Sequence, residues 1–267
     1  MACGTLYAVG VGPGDPELIT VKGLRRLQSV PVIVVPHKDP ASSVGPGQTH
    51  ESQAYRIARA YIDPSRQNIL FIPLPMTKDV EKLTIAWEEV LKTLVPILEA
   101  GQDMAYILVG DPFLYGTFIH LFERLRSRYP HIPIEIIPGV SSIQAAAARA
   151  RSPLAVAAER VAILPATYEA GERPGGKGGG KFSLSPFLRQ ALEQFETVVL
   201  MKVSQVFEEV LDLLEALDLV ENTVYVEKVG FPEERIVRDI RTLRGLKLHY
   251  LSLLIVKNNM DRINRIF

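Results

Sequence analysis

Cysteine is almost absent from this chain: among 267 residues, Cys3 is the only one. A single thiol forbids any intrachain disulfide. With no Cys-x-x-Cys pair and no mixed Cys/His cluster, the sequence offers no basis for a zinc site or other metal centre. Charge of one sign is missing too, since 30 Lys and Arg balance 30 Asp and Glu. That balance excludes a globally basic nucleic-acid binder and leaves room only for a local basic trough. No apolar run approaches the length needed to span a bilayer, and the amino terminus shows no signal-peptide pattern. The expectation is a cytoplasmic protein with neither membrane nor nucleic acid as partner. What remains is ordinary globular material, 47% hydrophobic and 22% charged, in a length that suits roughly two domains.

The stretch around which the chain is organised is 104–118, MAYILVGDPFLYGTF. Its unbroken apolar run, 104–109, predicts a strand buried on both faces of a parallel sheet. Ligands in open α/β sheets sit outside the carboxyl ends of the strands, and that end carries Gly110, Asp111, Pro112, Tyr115 and Gly116. Glycine lets a ligand approach the backbone, Asp111 offers an anionic acceptor, and Pro112 turns the chain away from the ladder. Turn chemistry alone accounts for the same residues if Asp111 merely caps a helix over 115–128.

Upstream, 5–9 predicts a strand that enters Gly10-Val11-Gly12-Pro13-Gly14-Asp15-Pro16, with Asp15 capping a helix whose first position is Pro16. A dinucleotide fingerprint fits badly here. Asp15 stands where its third glycine belongs, and the next strand, 32–35, ends in Pro36-His37-Lys38 without an acid for ribose. Residues 39–50 predict a surface loop, 52–61 a helix, 69–72 a strand and 79–99 a long amphipathic helix that Pro96 should kink or end. Strands alternating with helical patterns imply crossover units and a mostly parallel sheet. A strand over 132–137 and Pro138-Gly139-Val140-Ser141-Ser142 follow, with either serine able to cap the next helix.

The second half differs in kind. Helices are expected over 187–195 and 206–217, and strands over 161–164, 197–201, 223–227, 234–240 and 247–256, the last three with no long helical pattern between them, predict a mixed sheet containing antiparallel pairs. Residues 171–177 match the spacing of a phosphate-binding loop. Gly178 nevertheless stands where the magnesium-binding hydroxyl belongs, so the glycine-dense 171–181 segment reads as a flexible insertion. The fold class expected is two α/β domains, over 1–112 and 113–267, the first with a mostly parallel sheet, the second with a mixed one, and a ligand site in the cleft between them.

In chain order, the Gly10 to Asp15 loop, Gly110-Asp111-Pro112 with Tyr115-Gly116, Pro138-Gly139-Val140-Ser141-Ser142 and Met201-Lys202 resemble the tetrapyrrole methylases. The resemblance covers nearly the whole chain. Within that family the likeness is to the precorrin-2 (or cobalt-factor II) C20-methyltransferases of cobalamin synthesis. It is carried by Ser52-Gln53-Ala54-Tyr55-Arg56-Ile57, by Pro75-Met76-Thr77-Lys78-Asp79 and by Leu114-Tyr115-Gly116-Thr117-Phe118. Phe113 and Gly116 depart from the serines found in many members, and the 171–181 segment looks inserted.

The resemblance implies S-adenosyl-L-methionine as cofactor, a tetrapyrrole substrate (precorrin-2 or cobalt-factor II) and a homodimer. It implies cofactor contacts at Gly110, Asp111, Tyr115, Ser141, Ser142, Met201, Lys202, Val229 in the turn after 223–227, and Ser252. Substrate contacts fall at Gly12, Pro13, Gly14, His37 and Lys38, with Lys22, Arg149 and Arg151 as further partners for substrate carboxylates. Asp15, Asp111 and Tyr115, with His37, are the candidates for the proton-abstracting group, and the sequence leaves them open. Three other readings compete: a sister methylase acting on uroporphyrinogen III or another precorrin, an RNA or diphthamide methylase on the same fold, and a non-catalytic nucleotide- or tetrapyrrole-binding module.

Overall fold

Short β-branched and aliphatic runs, each closed by glycine, proline or a polar residue, form the strands of a first sheet. A computed structural model describes residues 2–38, 52–75, 79–169 and 182–258. The chain divides into two compact units, Met1–Ser142 and Ile143–Phe267. In the first, β1 (Leu6–Gly10), β2 (Val32–Lys38), β3 (Asn68–Leu74), β4 (Met104–Leu108) and β5 (Ile134–Ile137) lie in the order β3-β2-β4-β1-β5. Every pairing is parallel. Every residue of β1 and β4 is buried, as expected of central strands covered on both faces.

The helices of this unit are α1 (Val21–Ser29), α2 (Gln53–Ala58), α3 (Val80–Glu99) and α4 (Phe118–Arg128). α3 buries Trp87, Val90, Leu91, Leu94, Val95 and Leu98. Those side chains join Leu6, Val34, Met104, Tyr106, Phe118 and Leu121 in one core. Asp79 caps the helix, accepting from the N–H groups of Glu81 and Lys82 at 3.1 and 3.2 Å. Pro96 does not end it; the helix runs on to Glu99.

Two helix starts differ from those predicted. Asp15 caps only a 3-10 turn, Pro16–Leu18, and α1 begins at Val21, where the Thr20 side chain accepts from Gly23 N–H. α4 starts at Phe118 rather than near Tyr115, because Tyr115 holds a positive φ of 55° that no helix accepts.

α5 (Ser142–Ala150) leads into the second unit. Its sheet comprises β6 (Val161–Pro165), β9 (Thr197–Met201), β10 (Thr223–Glu227), β11 (Arg235–Val237) and β12 (Ser252–Lys257), in the order β11-β10-β12-β9-β6. β6 and β9 are parallel, and the remaining pairs are antiparallel. α6 (Leu188–Gln194) and α7 (Phe207–Ala216) supply Leu188, Leu192, Phe207, Val210, Leu211 and Leu214 to its core. β7 (Thr167–Glu169) and β8 (Phe182–Leu184) form a separate antiparallel pair. The glycine-dense 171–181 segment lies outside the described residues, as do 39–51 and 76–78.

The units divide after Ser142, whereas the sequence pattern places the boundary after Pro112. The reason is β5: it pairs with β1, Leu6 opposite Ile134 through Val9 opposite Ile137, and so carries α4 into the first unit. Among the described residues no helix is long and apolar enough to cross a membrane.

Candidate functional site

The first sheet reverses its direction of travel between β4 and β1. From β1 the chain passes beyond β4 to reach β2, and from β4 it passes beyond β1 to reach β5. Such a switch point opens a crevice at the carboxyl ends of its two central strands. The loops that follow β1, β4 and β5 meet there. Gly12 and Gly110 form an antiparallel bridge, in which Gly110 N–H donates to the Gly12 carbonyl at 2.8 Å. Just before it, Val11 N–H donates to the Leu108 carbonyl at 2.8 Å.

Glycine is required at this junction for two different reasons. Gly110 holds φ at 70°, in the left-handed region that a Cβ penalises. At Gly139 the constraint is space: an added Cβ would stand 2.1 Å from the Gly110 carbonyl oxygen and 2.9 Å from Gly10.

Asp111 ties these loops together. Its Oδ1 accepts from Phe113 N–H at 2.9 Å and its Oδ2 from Gly139 N–H at 3.1 Å. The plain capping role considered for Asp111 is therefore not what the structure shows; its carboxylate cross-links the β4 and β5 loops. Ser141 is buried and Ser142 opens α5. Tyr115 is 45% exposed, and partial burial raises its phenol above the usual value.

Asp15 spends Oδ1 on Glu17 N–H at 2.9 Å. His37 lies near the end of β2, opposite Pro73, with its ring edge-on to Phe71 at 6.3 Å. It flanks the junction from the β2 side. The backbone of Lys38 closes β2, while its side chain lies outside the described residues. Lys22 is ion-paired to Glu135, and Arg149 binds Glu234 at 2.8 Å. Both cations already have acidic partners.

The second unit gathers its own candidates along one edge of its sheet. Met201 ends β9 opposite Leu253, and Ser252 begins β12 opposite Glu227. The carboxyl ends of β9 and β10 thus flank the amino end of β12. Lys202 and Lys228 both hold left-handed backbone, φ 59° and 49°, so the chain turns sharply off each strand. Val229 and Ser252 are buried, and Ser252 Oγ donates to the His249 carbonyl at 2.7 Å.

Beneath these residues runs a polar network that the sequence reading missed. Glu227 accepts from the Tyr225 hydroxyl, from His249 N–H at 3.0 Å and from Arg235 at 3.4 Å. Burial alone would raise the Glu227 carboxyl, but the Tyr225 hydroxyl, the His249 amide and the Arg235 charge hold it below the usual range. The Tyr225 phenol is pushed up by burial and by that same carboxylate. The only signal in the sequence was the break in apolar character from Val226 to Glu227.

The profile of the Tetrapyrrole (Corrin/Porphyrin) Methylases matches residues 5–243, and the chain belongs to that family. It is 31% identical to the cobalt-precorrin-2 C(20)-methyltransferase of Salmonella typhimurium (strain LT2), over 97% of this chain and 98% of that protein. The crystal structure of a cobalt precorrin-4 methyltransferase superposes with a TM-score of 0.67 at 25% identity, covering 95% of this chain and 94% of that one. A uroporphyrin-III C-methyl transferase from Thermus thermophilus, complexed with S-adenosyl homocysteine, gives a TM-score of 0.63 at 20% identity, covering 99% and 100%. The last of these likenesses concerns the fold alone.

Proposed function

We propose that the protein transfers a methyl group from S-adenosyl-L-methionine to C20 of precorrin-2 or its cobalt complex, in the synthesis of the corrin ring. The observation that carries this reading is the glycine junction held by Asp111 at the switch point. The full-length likeness to a cobalt-precorrin-2 C(20)-methyltransferase supports the choice of substrate and favours the cobalt complex. The donor residues are Gly110, Asp111, Tyr115, Ser141 and Ser142 on the first sheet's edge and Met201, Lys202, Val229 and Ser252 on the second's. Gly12, Pro13, Gly14, His37 and Lys38 are assigned to the substrate. A reducing cytoplasm suits the single cysteine, and the working form is a homodimer.

The residues fit such a donor. A backbone stripped of side chains at Gly110 admits a ligand to close range, and the Asp111 carboxylate favours a cation beside it. The thioether of Met201, with β9 and β12 beside it, suits a flat apolar base. When bound, the donor supplies an activated methyl group on a sulfonium, so the protein's task is chiefly to orient the two reactants at about 3–3.5 Å.

Loss of a proton from the methylated carbon then needs a base. Tyr115 keeps its proton, because burial raises its phenol, and both Asp111 oxygens already accept from N–H groups. That leaves Asp15, whose Oδ1 also accepts from Glu17 N–H, and His37 as the candidates. Incubation with methyl-labelled donor and the cobalt complex of precorrin-2 should give one methyl at C20. Transfer only to uroporphyrinogen III would move the protein to a sister activity. Asp111→Asn, which can accept only one of the two N–H bonds, should weaken S-adenosylhomocysteine binding about tenfold.

A further inference from the structure

Phe113 is a large apolar side chain left 49% exposed, yet it is firmly held. Its amide donates to Asp111 Oδ1 at 2.9 Å. Its ring meets Phe122 edge-on with centroids 5.4 Å apart and lies 6.4 Å from Phe118. Part of the ring is therefore spent on α4, and the rest stays open to solvent. The root of the loop is anchored by the bond from Gly139 N–H to Asp111 Oδ2. A fixed, exposed aromatic surface next to a ligand-binding edge matches a planar, apolar partner, because little ordering remains to be done on binding. The charged amino-acid end and the ribose of a nucleoside donor offer no such surface, and its flat base is assigned to Met201 beside β9 and β12.

This inference rests on the methyl-transfer reading. We propose that Phe113 is a specificity-determining contact for the tetrapyrrole, taking the apolar surface of the macrocycle against its open face, and that it has no part in holding the donor. Recognition of the ring then divides between chemistries: the aromatic surface selects the flat carbon framework, and cations elsewhere select its carboxylates.

The test combines steady-state kinetics, with the cobalt complex of precorrin-2 at saturating S-adenosylmethionine, and calorimetric titration with S-adenosylhomocysteine. Phe113→Ala should raise KM for the tetrapyrrole about tenfold while kcat and the S-adenosylhomocysteine Kd stay within about twofold. Phe113→Tyr should keep the wild-type KM, and Phe113→Leu should fall between the two. An unchanged KM in Phe113→Ala overturns the proposal. So does an equal loss of affinity for the donor analogue, which would make Phe113 a general support of the loop. If the alanine variant does not fold, the other two decide: a higher KM for leucine than for tyrosine supports the proposal, and equal values overturn it. Absence of methyl transfer by the wild-type protein would instead overturn the methyl-transfer reading, and this proposal with it.

Discussion

Asp111 shows how a single residue acquires a role that its type does not announce. An aspartate before proline in a strand-to-helix turn is ordinary capping chemistry, but here Oδ1 and Oδ2 are committed to N–H groups from different loops. The second of those bonds requires the β5 loop to come close, and close approach is what Gly139 permits. Its missing side chain leaves just enough space for the Gly110 carbonyl. Gly139→Ala should therefore force the loops apart and cost about 1–3 kcal/mol, as overpacking does. Urea denaturation would measure that loss, and S-adenosylhomocysteine binding should weaken in parallel. A variant of wild-type stability and affinity would show that the loops tolerate separation.

Among the elements, β12 is secured on both sides. It pairs with both β10 and β9, and its last residue, Lys257, carries an ammonium whose side chain is only 4% exposed. That charge is held by Glu159 Oε2 at 3.0 Å and Thr197 Oγ1 at 2.7 Å. Removing one partner of a buried pair strands the other, and the loss exceeds the net worth of the pair. Glu159→Ala should destabilise by about 3 kcal/mol, because it leaves the ammonium buried without its counter-charge. Lys257→Met should cost clearly less, since methionine fills the site without a charge and Glu159 keeps the N–H of Val156 at 3.1 Å. Equal losses in chemical denaturation would contradict this account. The strand's first residue, Ser252, stands at the edge proposed for the donor.

Across the whole molecule, carboxylates held below their usual range are spread over both units. Glu88 is lowered by its hydrogen bond to Arg128, and Asp79 by the N–H groups it caps. Glu196 is brought from 4.5 to about 2, chiefly by Arg160. Each favours the folded state when ionised. Because the folded value lies below the unfolded one, the stabilisation is complete above about pH 4.5 and disappears as pH falls toward 2. Calorimetry should show the melting temperature dropping through that window. Glu196→Gln should lower it at neutral pH and flatten its acid dependence; an unaltered profile would show that this pair adds nothing.

Sequence alone determined most of the local conformations and named the candidates for the site. Apolar runs specified β1, β4, β9 and β10 because the burial of a strand is written in its own side chains. The order of four short motifs, read as a likeness to a family, pointed to the fold and the methylase class. Tertiary structure decided who meets whom. The partner of Asp111 lies 28 residues away, and β5 takes its place beside β1 across more than a hundred residues of chain. No local pattern encodes such pairings, because the energy that selects them exists only once the sheet has closed. The same reason explains why Glu227 went unnoticed: a carboxylate at the end of a strand looks solvated until Tyr225, His249 and Arg235 are seen to converge on it.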